Sequence, residues 1–153
     1  MDAIETYWKK FLQDKKLPDS TPFAGECSFG SNEQMSCNLT ALVLTGHKQA
    51  TTSALESFEL DNETLPHKDF YYAVTDWSGN PCAIIKTTKV SIMAYKDMTW
   101  DLARKEGEDN SMESWIKSHN TFFQEDSDIM GYTFSPDMPI VFEEFELVYG
   151  AAK

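Results

Sequence analysis

Arginine is nearly missing from this chain. Arg104 is the only arginine among 13 basic residues, and 25 acidic residues set the net charge at −12. Proteins that grip duplex DNA or ribosomal RNA neutralise phosphates with dense Lys and Arg surfaces, and Arg supplies the bidentate fork. DNA is therefore not an expected partner, although net charge alone leaves room for a local basic groove. Long apolar runs are missing too. The longest purely apolar stretches are a few residues, such as Ala41 to Leu44, against the ~20 that a membrane helix needs. Residues Met1 to Lys10 carry acids and no signal-peptide core. The expected location is cytoplasmic, with no membrane partner.

Cysteine is scarce. Cys27, Cys37 and Cys82 are odd in number and widely spaced, which is no disulfide framework. Each reads as a small buried apolar residue. His47, His67 and His119 lie far apart, without Cys-x-x-Cys or His-Glu-x-x-His spacing, so no metal is expected. There is no Walker A loop, no Gly-x-Gly-x-x-Gly and no Gly-x-Ser-x-Gly elbow. Gly107 stands alone in an acidic stretch that would repel phosphate. No cofactor is expected.

What is present fits one folded domain. The 153 residues are 41% hydrophobic and 13% aromatic, enough for a core. Ile4, Tyr7, Trp8, Phe11 and Leu12 make one stripe of an amphipathic helix over 2–14, ended by Pro18 and Pro22. Residues 23–30 read as a strand and turn. Ser31 and Gln34 form a candidate capping box for a helix over 32–45, with Gly46 ending it. A strand starts near Ala50, and 54–68 is acidic and irregular. Strands over 69–76 and 82–95 flank the Ser78-Gly79-Asn80 turn. A short helix over 99–105 precedes a second one capped by Asn110, with Trp115, Ile116, Phe122 and Phe123 as its apolar face. Val141 to Tyr149 alternates as a last strand. The expected class is α+β, a small mixed or mostly antiparallel β-barrel flanked by helices.

Two stretches carry candidate chemistry. In Gly46-His47-Lys48-Gln49-Ala50-Thr51, a Lys and a Thr stand three residues apart where a helix enters a strand. In Arg104-Lys105-Glu106-Gly107-Glu108-Asp109, an acid could fold back towards Lys48. Lys48 also reads as a solvated lysine at a helix C-terminus, Thr51 as a strand residue, and the acidic run as a solvated charged loop. Phe29 reads as core or as an aromatic wall on which a base stacks. Lys86 and Lys89 are the only strand lysines that suggest a basic strip, or else they blunt an edge.

Gly46-x-Lys48-x-x-Thr51 resembles the ASCH signature Gly-x-Lys-x-x-Thr-x-Arg. Ser28-Phe29-Gly30, the Glu106-Gly107-Glu108-Asp109 run, Ser111, Trp115 and Asp137-Met138-Pro139-Ile140-Val141 resemble a bacterial branch of that family, over about 25–149. The resemblance implies a PUA-like barrel over 23–150, with 1–22 as a helical addition packed on it. It also implies binding of RNA or action on a modified nucleoside. Some small relatives remove the acetyl group of N(4)-acetylcytidine with a Lys, a Thr and a Glu. Carried over by motif, these are Lys48, Thr51 and Glu106, with Glu108 as the alternative acid and Phe29, Ser53 and Glu108 as substrate-binding positions. Ser53 stands where the signature has Arg, which weakens the case for gripping a polynucleotide.

For amide hydrolysis Thr51 would supply a nucleophilic hydroxyl. Lys48 would be its base only as a neutral amine, which needs a pKa ~3 units below the usual ~10.4. Alternatively, Glu106 is base and acid while Lys48 stabilises the oxyanion. Both schemes require the three side chains to meet. Three functions stay open: an amidohydrolase on a nucleoside, a non-catalytic RNA or nucleotide-binding module, and an acidic interaction or regulatory protein.

Overall fold

The computed structural model describes residues 2–150. In chain order it has α1 (Ala3–Lys15), β1 (Phe23–Cys27), α2 (Glu33–Leu44), β2 (Ala50–Ala54), α3 (Leu55–Leu60), β3 (Tyr71–Thr75), β4 (Pro81–Ala94), α4 (Trp100–Ala103), α5 (Met112–Met130) and β5 (Pro139–Tyr149). A 3₁₀ turn, Arg104–Glu106, follows α4.

The five strands form one mixed sheet in the order β1-β3-β4-β5-β2. Only β1 and β3 run parallel, and the other neighbours are antiparallel. The expected barrel is not formed. Closure would require β1 to pair with β2, and these five-residue strands lie at opposite edges of the sheet. The α+β class stands, with an open sheet.

Side chains alternate across a strand, which assigns the helices to faces. On β4, Ile84 packs with Trp8, Phe11 and Leu12 of α1. Its neighbours Ala83 and Ile85 point the other way, to Val43 of α2 and to Phe29 and Phe145. Ala50, Ala54, Ile140 and Phe142 pack on Trp115 and Phe123 of α5. Phe142 and Phe145 lie on opposite faces by the same alternation, so α1 and α5 share a face and α2 covers part of the other. The rest of that second face is open. No described helix is long and apolar enough to cross a membrane.

Several local details differ from the sequence pattern. Asn32 rather than Ser31 caps α2, its side chain accepting from the Met35 amide at 2.9 Å. Ser111 rather than Asn110 caps α5, accepting from the Ser114 amide at 3.1 Å. The buried stripe of α5 is Trp115, His119, Phe123 and Ser127, while Ile116 and Phe122 are exposed. Two polar residues in the stripe conceal its period. Cys37 is exposed; Cys27 and Cys82 are half-buried. Residues 55–60, read as irregular, form α3.

Candidate active site

Gly46 ends α2 with a left-handed φ of +81°. The amides of His47 and Lys48 both donate to the Leu42 carbonyl, at 2.9 and 3.0 Å. This tight exit turns the Lys48 side chain inward, where it is 2% exposed. Its Nζ donates to the Ala50 carbonyl at 2.9 Å and to Glu108 Oε2 at 2.7 Å, with Glu106 Oε1 at 3.7 Å. The acidic run therefore does fold back on Lys48, and both acids meet it.

Gly107 makes this approach possible. Its φ is +74°, and a Cβ there would run into the His47 carbonyl. The Gln49 amide donates to the Lys105 carbonyl at 2.8 Å, pinning the same two segments. Gly107→Ala is expected to cost at least the ~1–3 kcal/mol of a left-handed non-glycine residue, and to part the two segments. Thermal melting checks this, and an unchanged Tm would contradict it.

Glu106 is 2% exposed. Its Oε2 accepts from the Thr52 hydroxyl at 2.9 Å and from Trp115 Nε1 at 2.7 Å. Its Oε1 faces His119 Nε2 at 3.3 Å. Burial alone would raise this carboxyl, but the His119 hydrogen bond and the Lys48 charge outweigh it and hold the pKa below the ordinary range. Burial alone would lower His119, yet Glu106 and the Trp115 carbonyl raise it above its ordinary 6.5. Both ring nitrogens face acceptors, Nδ1 the Trp115 carbonyl at 2.8 Å and Nε2 Glu106. Only the imidazolium donates to both.

These shifts set a pH dependence of stability. The raised His119 contributes fully below pH 6.5, and its contribution is lost as pH rises through its folded pKa. The lowered Glu106 contributes above pH 4.5, and its contribution is lost as pH falls through its folded pKa. Both are present between these limits. The expected result is a Tm that declines on the alkaline side of this window, with a shallower decline in His119→Gln. Identical alkaline slopes would contradict it.

Thr51 lies elsewhere. On β2, Ala50, Thr52 and Ala54 are buried while Thr51 and Ser53 alternate to the other face. Thr52, not Thr51, reaches Glu106. Among the described residues Thr51 makes no hydrogen bond with Lys48 or Glu106, so the expected three-way meeting is not formed. The strand's two-residue period forbids it.

Thr51 and Ser53 instead line a cleft of about 660 Å³. Its floor is the open sheet face, with Ala24 and Glu26 of β1, Tyr72 of β3, Ile85 of β4 and Glu143 and Phe145 of β5. Phe58 of α3 and Glu63 to His67 form a wall. Phe29 is both core and cleft lining, 8% exposed. Its ring centre lies 5.7 Å from Lys48 Nζ, which joins the charged cluster to the cleft. Lys48, Glu106 and Glu108 are not among the lining residues. The lining holds three acids, Glu26, Glu63 and Glu143, and no Lys or Arg. Lys86 pairs with Asp69 at 3.7 Å beside the Tyr71 ring, and Lys89 is exposed. Neither lines the cleft. Burial pushes the Cys27 thiol up, so it is no activated nucleophile.

A model of the ASCH domain matches residues 25–149. The chain belongs to the ASCH domain family. Two solved structures share its fold. One is a protein of Enterococcus faecalis V583, 33% identical, with a TM-score of 0.85 over 96% of this chain and 88% of that one. The other is an ASCH domain from Lactobacillus crispatus JV V101, 28% identical, with a TM-score of 0.85 over 97% of this chain and 96% of that one. No curated protein matches the chain. Helix α1 precedes the matched ASCH region yet contributes Trp8, stacked on Phe23 at 4.4 Å.

Within this ASCH domain, sequence reasoning missed Thr52, His119 and Glu143. His119 follows Trp115 by one helical turn, which is a usable signal. Glu143 falls in phase with Val141, Phe145 and Leu147. A carboxylate on an otherwise apolar strand face is the mark that singles it out.

Proposed function

We propose that the cleft takes a neutral modified nucleoside and hydrolyses an acyl amide on its base, as in N(4)-acetylcytidine. The observation that carries this is the lining. Five aromatic rings, those of Phe29, Phe58, Phe70, Tyr72 and Phe145, and three acids surround a nucleoside-sized space without a Lys or Arg. The volume lies within the ~300–1,000 Å³ of small-molecule sites. Aromatic faces suit a base, and the carboxylates of Glu26 and Glu63 repel a phosphate chain.

Thr51, on the cleft floor, is the nucleophile. Its oxygen attacks the acyl carbon, the C–N bond breaks, and the hydroxyl proton passes through solvent to the exocyclic nitrogen, which leaves as the neutral amine. Water then hydrolyses the threonyl ester, releasing acetate and restoring the hydroxyl. Lys48, whose ammonium donates to Ala50 and Glu108, lies behind the cleft floor and braces it rather than touching the acyl group. Glu106, with three donors of its own, holds Lys48 in place. Glu108 is the partner that can swing aside, with 28% of its side chain exposed.

One observation favours binding without chemistry: Lys48 bonds Ala50 and Glu108, Glu106 bonds Thr52, Trp115 and His119, and neither touches Thr51. The experiment that separates the two is a thermal shift with N(4)-acetylcytidine, cytidine and short RNAs, together with product analysis. A ligand at 100 times its Kd stabilises by ~2.7 kcal/mol. A shift with the acetylated nucleoside and release of cytidine supports the hydrolase. A shift without product leaves a binding module, and a salt-sensitive shift with RNA alone overturns the nucleoside reading.

A further inference from the structure

We propose that Glu143 reads the bound base, its carboxyl pairing with a ring nitrogen acceptor and the neighbouring exocyclic N–H of a cytosine-type edge. This rests on the nucleoside reading of the cleft.

Position comes first. Glu143 is the direct antiparallel partner of Thr51, and such pairs hold their Cβ atoms within ~5.5 Å. A base contacted by Glu143 therefore presents its exocyclic substituent beside the Thr51 hydroxyl. Orientation comes second. The wholly buried Thr87 donates its hydroxyl to Glu143 Oε2 at 2.7 Å. That bond fixes the carboxyl plane. The other oxygen, Oε1, takes no hydrogen bond among the described residues, and Glu143 lines the cleft.

Charge comes third. Thr87 of β4 bonds Glu143 and Thr51 of β2 is its strand partner, while Glu26, Cys27, Tyr72, Ser53, Glu63 and His67 line the same cleft. No Lys or Arg is among them. A half-buried carboxyl without a counter-charge weakens the fold unless a ligand uses it. Burial raises its pKa, so it holds its proton to a higher pH than a free carboxyl does. A neutral carboxyl offers O–H and C=O side by side. These match the N3 acceptor and N4–H donor of an acylated cytosine. A glutamine amide offers the same donor and acceptor, whereas alanine offers neither.

The test is calorimetric binding of N(4)-acetylcytidine and cytidine to wild type, Glu143→Gln and Glu143→Ala, between pH 5 and 9. Melting of the unliganded variants checks that each is folded. The expected result is a Kd for Glu143→Gln within about threefold of wild type at low pH, and at least tenfold weaker binding by Glu143→Ala. Wild-type affinity should fall as pH rises through the Glu143 pKa, and Glu143→Gln should show no such fall. If Glu143→Ala binds as tightly as wild type, the inference is wrong while the nucleoside reading survives. If Glu143→Gln binds as poorly as Glu143→Ala, a carboxylate and not a donor–acceptor pair is needed, which also overturns it. If wild type binds neither nucleoside, the inference and the nucleoside reading fall together.

Discussion

Lys48→Met is expected to lower the folding free energy by ~3 kcal/mol or more. Breaking a buried ion pair from one side costs ~3–5 kcal/mol, because the other charge stays buried. The methionine fills the stem's space but leaves Glu106 and the Ala50 carbonyl without their cation. Two features limit the loss. Glu106 keeps Thr52, Trp115 and His119 as donors, and Glu108 is exposed enough to turn to water. The value therefore falls at the lower end of the range. Adding Glu106→Gln should recover part of it, since the buried negative charge is gone. Urea unfolding measures both. A loss below ~1 kcal/mol would mean that the cluster behaves like a surface pair. Activity lost in Lys48→Met must be read where the variant is still folded, because the side chain is structural.

Thr51→Ala is expected to have the opposite profile. Thr51 is half-buried on the cleft floor, so its melting temperature should stay near wild type. Turnover should fall by at least ~100-fold, equivalent to ~2.7 kcal/mol in the barrier, because no other hydroxyl stands at the same point of the floor. Thr51→Ser restores the hydroxyl and should restore most of the rate. A Thr51→Ala variant with full turnover would remove the nucleophile from the scheme and leave water as the attacking group.

Much of the fold is legible in the sequence where a single period dominates. The stripe of Ile4, Tyr7, Trp8, Phe11 and Leu12 gives α1, and the alternation after Val141 gives β5. Glycine at left-handed positions ends α2 at Gly46 and α5 at Gly131. The closed barrel is not legible as wrong, because whether β1 meets β2 depends on strand order, which no local pattern encodes. Helix α3 escapes because six residues carry too few turns to show a period. It matters, since Phe58 on it makes one wall of the cleft. The approach of Glu106 and Glu108 to Lys48 is legible only through the resemblance to the ASCH family. Nothing in the spacing required it, and Gly107 is what permits it. Thr51 shares its motif with Lys48, yet strand alternation turns it to the opposite face. That turn separates a charged cluster behind the sheet from an aromatic, acidic cleft in front of it, joined through Phe29.

The most direct measurement is chromatographic analysis of wild-type protein incubated with N(4)-acetylcytidine, following cytidine and acetate. The account predicts equimolar formation of both, greatly slowed in Thr51→Ala although that variant melts like wild type. Wild-type protein that neither forms cytidine nor is stabilised by the nucleoside would contradict it.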